Sequence, residues 1–78
     1  DLPKDSYVAK LFRKGKVKIA NKLGEEAVET ITAYLYEGKE ELLEESADLM
    51  FHLLVLLEDS DLTIEEVEKT LSKRMKND

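Results

Sequence analysis

The sequence contains no cysteine and no tryptophan, and only one proline and three glycines among its 78 residues. Without cysteine, neither a disulfide framework nor a thiolate metal site is available to the chain. No apolar run reaches the roughly 18 residues that a membrane span requires, and no signal-peptide pattern opens the sequence. These absences predict a cytoplasmic protein with no membrane partner.

The balance of charge is acidic, with 12 basic and 18 acidic side chains and a formal net charge of −6. This charge disfavours a nucleic-acid partner, because the phosphate backbone is bound through a basic field. It does not disfavour a small phosphorylated ligand, since divalent cations held by carboxylates can reverse the local charge. On its own, the acidic balance indicates little more than solubility.

The length predicts a single domain, residues 1–78, and the chain contains no repeat, linker or low-complexity tract. A domain of this size buries a modest fraction of its surface and is marginally stable alone. Because disulfides are excluded, oligomerisation is the remaining common means of stabilising such a small chain.

Four helices are predicted, and no strand, because no segment alternates between apolar and polar residues over a useful length. Ser6 is the expected N-cap of the first helix, and Gly15 is expected to break it. Gly38 is expected to be the C-cap of the second helix. Thr63 and Glu66 form a capping-box pattern before the fourth. The predicted helices span about residues 6–13, 17–36, 39–58 and 64–75.

The short connection around Gly38 predicts an antiparallel hairpin of the two long helices. The third helix is apolar around most of its circumference beyond Asp48, and one hairpin cannot surround such a helix. The predicted fold is therefore all-α, an antiparallel helical hairpin with flanking helices that assembles into a multi-helix bundle as a homodimer or larger homo-oligomer. Apolar residues at helical spacing mark the second helix (Ala20, Leu23, Ala27, Ile31, Tyr34) and an inward face of the fourth (Ile64, Val67, Leu71).

Acidic side chains stand where the two long helices should face each other. Glu26 and Glu29 are three residues apart, and so are Glu45 and Asp48 in the next helix, so each pair shares a helix face. Four carboxylates so close together would repel one another and take up protons unless a cation neutralises them. Mg²⁺ and Mn²⁺ prefer such oxygen ligands, so the spacing suggests a divalent-metal site. Acids paired with lysine are the alternative.

Three further features adjoin the acids. Glu25 lies at the edge of the acidic face, either as an outer ligand or as a solvated residue. His52 ends the polar stripe that begins at Glu41, and such a histidine more often supports a helix interface than acts as a ligand or base. Half of the basic residues lie within thirteen positions: Lys10, Arg13, Lys14, Lys16, Lys18 and Lys22. A basic cluster beside a metal site suits a polyphosphate, although an ordinary basic surface is equally common.

Three segments carry a resemblance to a known family. Residues 6–12 read SYVAKLF, residues 18–29 read KIANKLGEEAVE, and residues 44–57 read EESADLMFHLLVLL. In this order they closely resemble the phosphoribosyl-ATP pyrophosphohydrolases of histidine biosynthesis, within the wider group of all-α MazG-type and dimeric-dUTPase-like nucleotide pyrophosphohydrolases. The likeness covers nearly the whole chain. It departs at Ser46, where the family often has alanine, and at Phe51, where tyrosine is common.

The resemblance implies Mg²⁺-dependent hydrolysis of phosphoribosyl-ATP to phosphoribosyl-AMP and pyrophosphate, the second step of histidine biosynthesis, by a helical homodimer. Carried over by position, it implies catalytic and metal-binding roles for four acids, with Glu25 adjoining them: Glu26, Glu29, Glu45 and Asp48. It also implies phosphate contacts from Lys10, Lys18 and Lys22. Two alternatives are a MazG-type enzyme acting on other nucleoside triphosphates and a non-catalytic helical dimerisation module.

Overall fold

The computed structural model describes residues 6–76, which form four α-helices and contain no strand. The predicted all-α class is therefore confirmed for this part of the chain. Every predicted helix is present, and each predicted end lies within one residue of the observed one. The helices are α1 (Tyr7–Lys14), α2 (Lys16–Tyr36), α3 (Lys39–Asp59) and α4 (Ile64–Lys76).

The local signals at three helix ends act as predicted. The Ser6 side chain accepts a hydrogen bond from the Ala9 N–H at 3.0 Å and so caps α1. Gly15 separates α1 from α2 with φ of 93°, a backbone conformation that favours glycine. At the start of α4, Thr63 Oγ1 accepts from the Glu66 N–H at 3.2 Å, and Glu66 Oε1 accepts from the Thr63 N–H at 2.9 Å. The reciprocal pair confirms the predicted capping box.

The prediction that Gly38 is the C-cap of α2 is wrong. Glu37 is the C-cap, with φ of −121°, and its N–H donates to the Ala33 carbonyl at 3.0 Å. Gly38 is instead the N-cap of α3, with φ of −100°, and its N–H donates to Glu41 Oε1 at 3.2 Å. Two consecutive extended residues reverse the chain here, so no left-handed residue is needed.

Helices α2 and α3 form the predicted antiparallel hairpin. The connection at Glu37 and Gly38 brings the end of α2 next to the start of α3. At the opposite end, Lys16 Nζ donates to Asp59 Oδ2 at 2.9 Å, which joins the first residue of α2 to the last residue of α3. This ion pair lies at the surface, so it stabilises the hairpin little, but it shows which residues of α2 and α3 lie opposite each other.

Helix α1 folds back onto the open end of the hairpin, where the apolar core lies. Leu11 of α1, Ile19 of α2 and Val55 of α3 form this core and are 2%, 3% and 4% exposed. Burying each of these aliphatic side chains contributes about 1.5–3 kcal/mol. The core therefore holds three helices together at one end of the hairpin, and the acidic side chains lie further along it.

The side of α2 that contacts α3 differs from the apolar stripe in the sequence. Its buried residues are Ile19, Glu26 and Ala33, which recur every seven residues, or two helical turns. By contrast, Ile31 is 57% exposed and Tyr34 is 72% exposed within the single chain. A glutamate in the middle of the contact face interrupts its apolar pattern, which is why the hydrophobic period did not reveal it.

Helix α4 contributes little to the core of the single chain. None of its residues is buried, Ile64 and Val67 are half-buried, and Leu71 is 52% exposed. The prediction that Leu71 points inward is therefore wrong within one chain. Among residues 6–76, no helix combines the length and the apolar character needed to cross a membrane.

Candidate active site

The hairpin brings three carboxylates together. One oxygen from each of Glu26, Glu29 and Glu45 lies within 4.8 Å of the other two. Glu26 and Glu29 stand on successive turns of α2, and Glu45 stands on the first half of α3, which the antiparallel register places opposite them. Three of the four predicted acids therefore converge on one point between the two helices.

Two oxygens of this group are buried without a hydrogen-bond partner in the described chain, Oε1 of Glu26 and Oε1 of Glu45. Burial raises the pKa of Glu26 above the ordinary value of 4.5, and the charges of Glu29 and Asp48 raise it further. Burial also raises the pKa of Glu45, followed by its hydrogen bond and charge interaction with Glu29. A buried acceptor without a donor is destabilising, so the folded chain favours a proton or a cation at this point.

The donor set fits a small hard cation. All three converging groups are carboxylates, and the two unpartnered oxygens have no competing donor in residues 6–76. Ligands of an octahedral Mg²⁺ are roughly 3–4 Å apart, because each lies about 2.1 Å from the metal. Three oxygens within 4.8 Å of one another need only small side-chain rotations to reach that spacing. The chemistry therefore fits Mg²⁺ or Mn²⁺ better than a cation that prefers nitrogen or sulfur.

The remaining predicted acids lie at the edge of the group. Asp48 is exposed and does not belong to the three converging carboxylates, although its charge raises the pKa of both Glu26 and Glu45. Glu25 is also exposed, and its Oε1 accepts a hydrogen bond from Lys22 Nζ at 3.1 Å. Asp48 is therefore within electrostatic reach of the group, whereas Glu25 is engaged with a lysine.

Thr30 is a site residue that the sequence analysis missed. Its hydroxyl lies 2.7 Å from the backbone carbonyl of Glu26 and 3.1 Å from that of Glu45, so its single proton is shared between α2 and α3. The first contact is common for a helical threonine, but the second depends on the hairpin register. Thr30 thereby connects the backbones of the two acids with unpartnered oxygens, and no sequence pattern signals such a contact.

A basic groove of about 220 Å³ lies beside the acids, between α1 and the first half of α2. Its walls come from α1 and α2 and contain four of the six clustered basic residues. The lining residues are Tyr7, Lys10, Leu11, Lys14, Lys18 and Lys22. All three lysines that the resemblance assigned to phosphate contacts thus share one groove, which also includes Lys14 and Tyr7. Lys16 lies outside the lining and pairs with Asp59.

Lys22 connects the groove to the acids. Its hydrogen bond to Glu25 is the main cause of a raised pKa, which burial opposes and the charges of Tyr7, Glu25 and Glu26 reinforce. The same ammonium therefore lines the basic groove and interacts with Glu26 of the carboxylate group. Positive and negative surfaces adjoin at this lysine, an arrangement suited to a phosphate chain that meets a cation at one end.

His52 of α3 is buried and 6% exposed. Its Nδ1 is 2.8 Å from the backbone carbonyl of Asp48, and its Nε2 is 2.8 Å from the hydroxyl of Tyr7. A carbonyl only accepts, so Nδ1 carries a hydrogen, and Nε2 of the neutral ring accepts from Tyr7. Both ring nitrogens are therefore engaged within the chain, as expected for a histidine at a helix interface.

Comparison with known proteins decides the family. A family model described as phosphoribosyl-ATP pyrophosphohydrolase matches residues 1–75. The chain belongs to this family. The match confirms the resemblance seen in the three sequence segments, and it covers both the acids and the lysines described above.

Curated relatives in the family are about half identical to the chain. A phosphoribosyl-ATP pyrophosphatase of Metallosphaera sedula is 49% identical over 76 residues, which cover 97% of this chain and 82% of the relative. A phosphoribosyl-ATP pyrophosphatase of Paramagnetospirillum magneticum is 54% identical over 72 residues, which cover 92% of this chain and 66% of the relative. A histidine biosynthesis bifunctional protein of Thermotoga maritima is 51% identical over 76 residues, which cover 97% of this chain but 39% of the relative. The chain thus spans most of the first relative and well under half of the third.

Proposed function

We propose that this protein hydrolyses phosphoribosyl-ATP to phosphoribosyl-AMP and pyrophosphate in a Mg²⁺-dependent reaction, the second step of histidine biosynthesis, in the cytoplasm. The observation that carries the proposal is the convergence of three carboxylates beside a lysine-lined groove, in a chain of the phosphoribosyl-ATP pyrophosphohydrolase family. The names of the relatives, both phosphoribosyl-ATP pyrophosphatases, support the choice of substrate.

In this proposal, Glu26, Glu29, Glu45 and Asp48 hold the cation, with Glu25 at the edge of the site. The unpartnered oxygens of Glu26 and Glu45 support the assignment, since a bound cation removes the penalty of burying them. When bound, Mg²⁺ supplies positive charge that stabilises the leaving pyrophosphate, and Mn²⁺ can supply the same charge.

The groove lysines bind the phosphates. Lys10, Lys18 and Lys22 present ammonium groups along one groove, with Lys14 beside them. Ammonium groups offset phosphate charge through charge-assisted hydrogen bonds. The Lys22–Glu25 bond holds one ammonium group at the boundary with the carboxylates, so a triphosphate in the groove extends toward the acids.

The reaction is displacement at phosphorus by water. Water adds to the α-phosphorus, the bond from that phosphorus to the α–β bridging oxygen breaks, and the bridging oxygen leaves with the pyrophosphate. One carboxylate of the group accepts the proton that water loses. The raised pKa values of Glu26 and Glu45 favour this role, because a carboxylate that binds protons more tightly is a stronger base.

The proposal includes a homodimer or larger homo-oligomer. Val28, Ile31 and Leu35 recur three and four residues apart on α2, and each is more than half exposed in the single chain. On α3, Leu43, Met50 and Leu54 also leave an apolar surface uncovered. A second copy that packs on these surfaces supplies the burial that a chain of this size lacks.

A substrate panel tests the proposal. Pyrophosphate release from phosphoribosyl-ATP with Mg²⁺ is expected to exceed release from plain nucleoside triphosphates. Glu45→Gln and Asp48→Asn are each expected to lower kcat/KM by roughly 100-fold or more, with helical content unchanged by circular dichroism. Glu58→Gln is the matched control, because Glu58 is an exposed acid on the same helix, roughly 20 Å along its axis from Glu45.

Three results would redirect the assignment. Faster turnover of plain triphosphates points to a MazG-type enzyme with another nucleotide substrate. Full turnover in both Glu45→Gln and Asp48→Asn refutes the site. A non-catalytic dimerisation module predicts that Mg²⁺ leaves Tm unchanged, whereas a cation that binds the native state raises it.

A further inference from the structure

Tyr7 contributes both to the lysine groove and to a hydrogen bond with α3. It lines the lysine groove, and its hydroxyl donates a hydrogen bond to His52 Nε2 at 2.8 Å. His52 in turn lies one turn beyond Asp48 on α3, and its Nδ1–H donates to the Asp48 carbonyl at 2.8 Å. A continuous series of hydrogen bonds therefore runs from the groove to the backbone that carries an acid of the proposed cation site.

Aromatic contacts fix both rings in place. Tyr7 stacks against Phe51 with ring centroids 6.0 Å apart and an interplanar angle of 27°. Phe51 and His52 meet edge to face at 5.1 Å and 88°. The three rings hold the Tyr7 hydroxyl in the direction of His52, so this hydrogen bond is preorganised.

The electrostatic interactions of Tyr7 and His52 reach both parts of the site, the lysine groove and the carboxylates. The electrostatic interactions of Lys22 include Tyr7, and those of Glu26 include His52. Tyr7 is thus within electrostatic reach of the groove lysine nearest the acids, and His52 is within reach of a carboxylate with an unpartnered oxygen.

We propose that Tyr7 and His52 form a positioning pair that fixes the lysines of α1 relative to the acids of α3, so that phosphates held in the groove are aligned with the cation site. The inference rests on the proposed function. Neither residue is assigned contact with the reacting atoms. Their effect is exerted through the placement of α1.

The apolar core cannot set this placement by itself. Leu11 and Val55 hold α1 against α3, but hydrophobic packing is non-directional and tolerates small rotations and shifts of a helix eight residues long. Lys10 and Lys14 come from α1, whereas Lys18 and Lys22 come from α2. A small movement of α1 therefore changes the spacing of the ammonium groups, and a hydrogen bond of defined length opposes that movement.

Tyr7→Phe tests the pair because it removes the hydroxyl and keeps the ring that stacks on Phe51. Losing a hydrogen bond to a buried histidine is expected to raise KM for phosphoribosyl-ATP about tenfold while changing kcat by less than about twofold. The Kd for Mg²⁺ alone, measured by calorimetry, is expected to stay unchanged, since no carboxylate is altered. Tyr34→Phe is the matched control, because Tyr34 is 72% exposed on α2 and does not line the groove.

Two measurements are independent of turnover. Binding of inorganic pyrophosphate with Mg²⁺ is expected to weaken in Tyr7→Phe and not in Tyr34→Phe. His52 is the chain's single histidine, so its ¹⁵N signals are unambiguous in a nitrogen-detected NMR spectrum. The spectrum is recorded about two pH units above the ordinary imidazole pKa. The wild type is expected to show a hydrogen on Nδ1, and Tyr7→Phe is expected to change the ¹⁵N chemical shift of Nε2.

A double variant completes the test. His52→Asn removes the Nε2 acceptor, so Tyr7→Phe/His52→Asn is expected to raise KM no more than His52→Asn alone. Three results would each overturn the positioning pair. They are additive KM increases in the double variant, an equal KM increase in Tyr34→Phe, and a KM increase that is explained by weaker Mg²⁺ binding. If the wild type fails to hydrolyse phosphoribosyl-ATP while Tyr7→Phe still weakens pyrophosphate binding, the proposed function fails and the positioning pair stands.

Discussion

At the scale of residues, Glu26 and Glu45 are ionised at a free-energy cost in the metal-free chain. Burial is the first cause of the raised pKa of each, from an ordinary value of 4.5. The folded chain therefore binds these protons more tightly than the unfolded chain does. As pH rises from about 4.5 through the raised pKa, the unfolded chain loses its protons first, and the free energy of unfolding falls.

Glu45→Gln is accordingly expected to stabilise the metal-free protein at neutral pH, because it removes one of the repelling charges. We expect Tm to rise by a few degrees relative to the wild type, with the difference disappearing below about pH 4.5. Thermal unfolding across a pH series with a chelator measures this difference, and Glu58→Gln provides the control at an exposed position.

Mg²⁺ is expected to reverse the order of stability. It should raise the Tm of the wild type and leave that of Glu45→Gln nearly unchanged, and its affinity for the wild type should increase with pH because protons compete for the carboxylates. A stabilisation by Glu45→Gln that grows as the pH falls below 4.5 would contradict the burial of this charge.

At the scale of elements, the junction of α1 and α2 depends on the backbone of Gly15. Its φ of 93° and ψ of −177° lie in a region almost restricted to glycine, and open space surrounds the position where a Cβ would be. The cost of a side chain here is therefore conformational and not steric. The direction in which α1 meets α2 therefore depends in part on this residue.

Gly15→Ala is expected to lower the free energy of unfolding by about 1–3 kcal/mol. Gly24→Ala is the matched control, because Gly24 lies inside α2, where alanine is favoured by about 0.5–1 kcal/mol, and it also faces open space. Urea unfolding of both variants measures the two changes. If the free energy of unfolding changes in the same direction in both variants, the junction does not depend on the unusual backbone conformation of Gly15.

At the scale of the whole molecule, a large apolar surface of the hairpin remains uncovered. Ile31 and Leu35 of α2 are each 57% exposed, and Leu43 of α3 is 71% exposed. Exposed apolar residues that recur along two neighbouring helices indicate an interface more than scattered surface positions do. A homodimer or larger homo-oligomer remains the expectation for this surface.

Sedimentation or light scattering is expected to give a mass of at least twice the 8.9 kDa of one chain. Ile31→Glu should shift the protein toward the monomer and lower Tm, since it introduces a charge into the interface. Tyr36→Glu is the control, because Tyr36 is 81% exposed on the same helix and lies outside the Val28–Ile31–Leu35 stripe. A monomeric wild type at micromolar concentration would refute the assembly.

Much of the fold follows from local features of the sequence. Caps such as Ser6 and the Thr63–Glu66 pair act within three residues, and the acid pair Glu26–Glu29 shares a face by spacing alone. Helix bounds, the hairpin and the closeness of Glu26 and Glu29 to Glu45 could therefore be predicted from the sequence. The family also followed from motifs that are contiguous in the sequence.

The tertiary structure decided which of these groups meet. Thr30 reaches Glu45 across 15 residues, and Tyr7 reaches His52 across 45. Such contacts depend on how each helix is rotated about its axis and on the register between helices, which local spacing does not specify. The sequence by itself determined the helices and the acids. Only the folded chain buried Glu26 between α2 and α3, left two carboxylate oxygens without a donor among residues 6–76 and placed the lysine groove beside the acids. The reason is that packing between distant residues selects one rotation of each helix among several that the local pattern allows.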